Sequence, residues 1–105
     1  MVESTESYYP SEKETINQIS FNQSQDAVAV ATNIGFKIYS LYPFDLKVKR
    51  ILNYGLRAIQ MVGITNFILL VPSGEGRPEY TSDSVLLWDD KNHKVIQTFK
   101  FTENV

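Results

Sequence analysis

S-V-L-L-W-D-D-K-N-H-K, from Ser84 to Lys94, is an apolar run that ends in Trp-Asp-Asp and passes directly into a polar turn. Val85, Leu86, Leu87 and Trp88 are β-branched, aliphatic or aromatic and too few for a helix, so they read as a strand. Asp89 to Asn92 are turn formers that suit a reversal of the backbone. Val95 to Phe101 then alternates, with Val95, Gln97, Phe99 and Phe101 on one side and Ile96, Thr98 and Lys100 on the other. Strand, polar turn and strand make a hairpin.

The same kind of unit recurs upstream. Ile16 to Phe21 alternates, Asn22 to Asp26 is polar, and Ala27 to Thr32 is A-V-A-V-A-T, small and uncharged, as suits a central strand packed between sheets. Asn33-Ile34-Gly35 is a turn, and Phe36 to Leu41 places Lys37 and Tyr39 opposite Phe36 and Ile38. Because Pro43 cannot donate to a ladder, Tyr42 to Leu46 reads as a loop and Lys47 to Leu52 as a charged outer strand. A second set of four follows in Arg57 to Ile64, Phe67 to Pro72, Ser84 to Asp89 and Val95 to Phe101. The A-V-A-V-A-T and F-I-L-L-V-P strands, at 27 and 67, are offset by 40, whereas the third strands, at 35 and 84, are offset by 49. The longer loop Ser73 to Asp83, S-G-E-G-R-P-E-Y-T-S-D, explains the difference. Four strands in ~40 residues, with Trp-Asp at the exit of the third, is how a blade of a WD-type propeller reads.

The fold class is therefore all-β, with about two four-stranded antiparallel WD40-like blades: an acidic tail over 1–14, expected to be disordered, blade one over 15–54 and blade two over 55–105. A ring closes only when ~4 to 8 blades go round, so two leave an open face at each end and exposed strand edges. The chain is expected to be one portion of a larger propeller, and open to self-association through its blade faces.

Composition narrows the functions. Ten Lys and Arg stand against twelve Asp and Glu, a formal net charge of −2, so no general basic field would draw the chain to nucleic acid or anionic lipid. There is no cysteine, which excludes a disulfide framework, a thiolate metal site and a cysteine nucleophile. No secretory signal is visible at the N-terminus, and the expected location is cytoplasmic. Tyr8-Tyr9-Pro10 in the acidic leader has the look of a docking motif, although such leaders are more often solubilising.

Catalytic chemistry has no constellation. His93, the single histidine, lies in a turn without signalled partners, and Asp89 and Asp90, as adjacent strand residues, point to opposite faces. Asp89-Asp90 reads as a turn cap and Trp88 as core. Neither an enzyme, a metal site nor a cofactor is expected.

Taken together, S-F-N-Q at 20–23, G-F-K-I-Y at 35–39 followed by Pro43-Phe44, and V-L-L-W-D-D at 85–90 resemble the first two blades of the PROPPINs, the WIPI proteins of animals. Trp-Asp-Asp and R-P-E-Y at 77–80 look more like the WD-repeat-45-like branch. The resemblance implies a typically seven-bladed, non-catalytic scaffold of autophagy that binds phosphatidylinositol 3-phosphate and 3,5-bisphosphate. The paired-arginine lipid motif of that family, Arg-Arg-Gly, is absent. Lys49-Arg50 is followed by Ile51 and reads as the solvated face of an outer strand. No lipid-binding residue is thus assigned here, and phosphoinositide membranes would be reached only through later blades, with peripheral recruitment to autophagic or endosomal membranes. What the resemblance leaves to this portion is a protein-binding rim for a large lipid-transfer protein of autophagy. Its candidates are Asn22, in the turn after the first strand, and Arg77 and Tyr80, in the long loop, where an arginine and a tyrosine make apt anchors. The competing expectation is a generic WD-repeat interaction scaffold without lipid recognition.

Overall fold

A computed structural model describes residues 14–63, 65–77 and 80–100. The tail expected over 1–14 falls, apart from Glu14, outside them, as do Ile64, Pro78, Glu79 and residues 101–105. Eight strands follow in order: β1 (Ile16–Phe21), β2 (Ala27–Thr32), β3 (Gly35–Leu41), β4 (Phe44–Ile51), β5 (Leu56–Met61), β6 (Phe67–Pro72), β7 (Ser84–Asp89) and β8 (Lys94–Lys100). They form two antiparallel four-stranded meanders, β1-β2-β3-β4 and β5-β6-β7-β8.

Several strands depart from the simple reading. β5 ends at Met61 rather than running on from Arg57 to Ile64, because the chain turns at Gly63, which takes the left-handed region with φ 56°. β4 begins at Phe44, three residues before the expected start, because Leu41 pairs with Phe44 across a two-residue turn of Tyr42 and Pro43. Pro43 sits in the turn itself and so costs no ladder bond, while its carbonyl accepts from Ser40 Oγ at 2.7 Å. In β8 the strict alternation fails at a register shift opposite Leu87 and Trp88, where Leu87 pairs with Gln97 and Trp88 with Val95. Ile96 is the extra residue of the bulge, so Val95 shares the face of Trp88 while Gln97 and Phe99 share that of Leu87 and Val85.

The core lies between the sheets. One sheet contributes Ala29, Ala31 and Phe36, the other Leu56, Ile59, Ile68, Leu70, Leu86 and Trp88. Ala29 and Ala31 of β2 are fully covered, and their small size lets the second sheet approach. The Phe36 ring meets the edge of Trp88 with centroids 5.8 Å apart. As a reader of the sequence would expect, Trp88 is core, and it is 6% exposed.

Polar side chains of β1 serve the inner edge of β5. Asn17 Nδ2 donates to the Leu56 carbonyl at 2.7 Å, Gln18 Oε1 accepts from the Ile59 amide at 2.9 Å, and Ser20 Oγ donates to Gln60 Oε1 at 3.1 Å. Edge groups that no ladder satisfies are thus paired by the neighbouring sheet. Replacing Gln18 with Ala would leave the Ile59 N–H without its acceptor beside the core, costing about 2 kcal/mol. Hydrogen exchange should show faster opening at the Ile59 amide than at the Leu70 amide.

Candidate functional site

Meander topology sends successive turns to opposite ends of the sheets, and this separates the candidate residues. The β1–β2, β3–β4, β5–β6 and β7–β8 turns lie on one rim, while the β2–β3 turn, the β4–β5 link and the long β6–β7 loop lie on the other. Asn22 therefore stands on the first rim, and Arg77 and Tyr80 on the second.

Asn22 is committed to its own turn. Its side-chain oxygen accepts from the Asp26 amide at 3.0 Å and the Ala27 amide at 3.1 Å, and its nitrogen donates to Asp26 Oδ1 at 2.7 Å and Ser24 Oγ at 3.3 Å. The hydrogen bonds from Asn22, then Ser24, hold the Asp26 carboxyl below its ordinary range. With both donors and its acceptor engaged, Asn22 shapes the rim more than it offers a free contact. It borders a hollow of about 300 Å³ walled by Ile38, Val48, Met61 and Ile68.

Arg77 and Tyr80 are brought together by the way the long loop folds onto the β4–β5 link. Gly55 N donates to the Glu75 carbonyl at 3.2 Å, and Ser73 N donates to the Gly55 carbonyl at 2.9 Å. Gly76 has φ +104°, and a Cβ there would lie 2.5 Å from the Asn53 carbonyl oxygen, so only glycine allows this approach. Tyr80 then meets Tyr54 edge-on at 4.7 Å between centroids. Above it lies the Arg77 guanidinium, 5.2 Å from the Tyr80 ring centre, with Nη1 donating to Asn53 Oδ1 at 3.4 Å. Burial first, and Tyr80 next, push the Tyr54 phenol up to about 12 against the opposing pull of Arg77, which keeps it a neutral aromatic wall.

These residues line a groove of about 570 Å³ between the sheets, together with Arg50, Leu52, Trp88, His93 and Val95. His93 occupies the left-handed region, φ 57°, which is uncommon for a residue other than glycine. Arg50, also in the lining, belongs to an ion pair that no local feature of the sequence marks. Arg50 Nε and Nη2 bind Asp90 Oδ1 and Oδ2 at 2.8 and 3.0 Å, and Trp88 Nε1 donates to Asp90 Oδ1 at 3.0 Å. Arg50 is therefore not the solvated side chain expected of it, because it points to the inter-sheet face rather than out of β4. Burial pulls the Asp90 carboxyl upward, but the hydrogen bonds from Arg50 and Trp88 outweigh it and hold the group low. Asp89 does cap the turn, accepting from the amides of Lys91 and Asn92 and from the side chains of Asn92 and Asn66.

The groove combines aromatic walls with guanidinium groups and suits recognition of a protein segment. Among the described residues no group of three or more His, Cys, Asp or Glu could hold a metal ion, and no helix is long and apolar enough to cross a membrane.

No family model matches the chain. It is 34% identical over 84 residues to SVP1-like protein 2 of Schizosaccharomyces pombe, covering 79% of this chain and 23% of that protein. SVP1-like protein 2 of Debaryomyces hansenii is 34% identical over 95 residues, 86% of this chain and 22% of the relative. Solved Hsv2 structures share the fold: that of Kluyveromyces marxianus superposes with a TM-score of 0.70 at 21% identity, over 85% of this chain and 25% of its own. For Kluyveromyces lactis Hsv2 the TM-score is 0.67 at 26% identity, over 84% and 25%. The two sheets thus match propeller blades, and the chain spans about a quarter of the length of the relatives it matches.

Proposed function

We propose, from the premise that the likeness to SVP1-like protein 2 and Hsv2 supports a PROPPIN-type chain, that this protein is the two-blade, partner-binding portion of a phosphoinositide-effector propeller of autophagy. Its work is binding, without catalysis. The carrying observation is the convergence of Arg77 and Tyr80 with Tyr54 and Trp88 on one groove between the blades. A large lipid-transfer protein of autophagy is the partner this reading assigns to the groove. Phosphoinositides belong to later blades, since no Arg-Arg-Gly occurs in the chain. Within the PROPPIN type, Trp88-Asp89-Asp90 favours the WD-repeat-45-like branch, and cytoplasmic residence with recruitment to autophagic membranes accompanies the reading.

Asn22 contributes here as the residue that shapes the opposite rim. Capture of the purified lipid-transfer protein by the chain should fall at least tenfold when Arg77→Glu and Tyr80→Ala are combined, a loss of about 1.4 kcal/mol or more. Asn22→Ala should leave capture within a few-fold. Equal capture by the parent and the Arg77/Tyr80 variant would overturn the assignment and favour a generic WD-repeat scaffold that uses another surface.

A further inference from the structure

The two sheets repeat one another in register, and the repeat says what each sheet's outward face accepts. β5 and β6 match β1 and β2 at an offset of 40, while β7 and β8 match β3 and β4 at 49. Even the ladder irregularities recur. The shift between Ile16 and Gln18 returns between Leu56 and Ala58, and the shift between Ile38 and Tyr39 returns between Leu87 and Trp88. Because bulges set which side chains share a face, the faces of one sheet map onto those of the other.

The covered contact joins unlike faces. The first sheet gives it the face of Ala29, Ala31 and Phe36, and the second gives it the face of Ile59, Ile68, Leu70 and Trp88. In the second sheet the counterparts of the first set are Leu69, Val71 and Val85, on the outward side. In the first sheet the counterparts of the second set are Ile19, Val28, Val30 and Tyr39, again on the outward side. The two outward faces are thus the two halves of a contact that the chain already makes once internally.

Their chemistry agrees with that role. Ile59 is 1% exposed, whereas its counterpart Ile19 is 52% exposed. Phe21 and Leu46, which stand where Met61 and Val95 pack against the core, are exposed as well. The row Gln60, Leu69, Leu87 and Gln97 crosses the middle of the second sheet's outward face without a charge. Contiguous apolar surface of this kind marks an interaction site. One position differs in kind, because Lys37 stands where the second sheet has the fully buried Leu86. Its Nζ is paired with Glu14 Oε1 at 2.7 Å, so it enters a contact as a neutral pair.

We propose that copies of this chain associate head to tail, with the outward face of one copy's second sheet packed on the outward face of the next copy's first sheet. The contact repeats the internal one. Val85 against Tyr39 of the next copy takes the place of Phe36 against Trp88, and Phe99 against Leu41 of the next copy takes the place of the Arg50–Asp90 pair. Such a heterologous interface closes when the rotation completes a ring. Each copy adds two sheets, so a ring of ~4 to 8 blades holds about two to four copies. The arrangement does not depend on the partner assigned to the groove.

Sedimentation of the full chain should give one species of about two to four times the 12.0 kDa chain mass. Phe21→Glu blocks the first sheet's outward face and Phe99→Glu the second's, at side chains that are 51% and 45% exposed and so tolerate the change in the fold. Each variant alone should sediment as a monomer with the parent's far-ultraviolet circular dichroism. An equal mixture of the two should form a dimer through the two faces left intact. Leu46→Glu and Gln97→Glu form a second pair with the same expectation, so a single misfolded variant does not decide the result. A parent that stays monomeric, a parent that grows without limit as concentration rises, a folded variant that associates with itself, or a folded mixture that stays monomeric would each overturn the proposal.

Discussion

Phe36→Ala should lower the free energy of unfolding by about 4 kcal/mol, the largest loss expected of a single side chain here. Phe36 is 1% exposed and meets Trp88 across the two sheets, so its removal leaves a void that neither β3 nor β7 can close without breaking ladder register. Ala29 and Ala31 beside it are too small to fill the space. A domain of this size has about 5–15 kcal/mol in total, so the variant should stand near its unfolding threshold at room temperature. Urea unfolding followed by emission of the single tryptophan reads the loss directly, because that tryptophan lies at the interface being tested. A midpoint within experimental error of the parent would contradict the packing described.

Asp90→Ala is expected to cost about 2 kcal/mol, since it leaves the Arg50 guanidinium and the Trp88 indole N–H without their shared acceptor. The pair is only partly buried, with 27% of the arginine side chain and 16% of the aspartate side chain exposed, which places it below the loss typical of a fully buried pair. Asp90 has a folded pKa held below the ordinary carboxylate value, so its contribution is present above the unfolded pKa and is lost as pH falls through the folded one. The gap between parent and variant should accordingly persist from pH 7 to about 5 and shrink below about pH 4. Asp90→Asn should fall between them, because its amide oxygen still accepts from Trp88 while the charge is gone. A gap that widened on acidification would contradict the ion pair.

The order of strands could be read from alternation and turn residues, because in a meander each strand neighbours the next and the pattern of small and apolar residues marks the central ones. The early start of β4 was hidden, since proline within a two-residue turn looks the same in sequence as proline in a longer loop. The bulge at Ile96 was hidden for a similar reason: one extra residue leaves the composition of β8 unchanged while moving Val95 to the other face. Arg77 and Tyr80 were legible as recognition types on a loop, and the structure brings them together. Their separation from Asn22 follows from the alternation of turns between two ends, which the strand order already contained.

The Arg50–Asp90 pair and the β1 contacts to β5 were missed, although a faint signal existed. They join residues 39 to 41 apart, the same spacing that relates the A-V-A-V-A-T and F-I-L-L-V-P strands. Stacked repeats bring a residue near its counterpart one repeat on, so polar side chains with complementary partners about forty residues away are candidates for inter-blade contacts. Nothing local in Lys49-Arg50-Ile51 marks the arginine as inward facing. Its direction depends on the register of β4 with β3, where Arg50 pairs with Phe36, a core residue.

The proposal that a protein partner enters between the blades beside Tyr80 is tested most directly by site-specific photocrosslinking. A photoreactive phenylalanine analogue would replace Tyr80 in one chain and Gln23, on the opposite rim, in another, each mixed with the purified lipid-transfer protein. Adducts from position 80 and none from position 23 are the predicted result. Adducts from position 23 alone, with binding retained by both chains, would place the partner on the other rim and contradict the account.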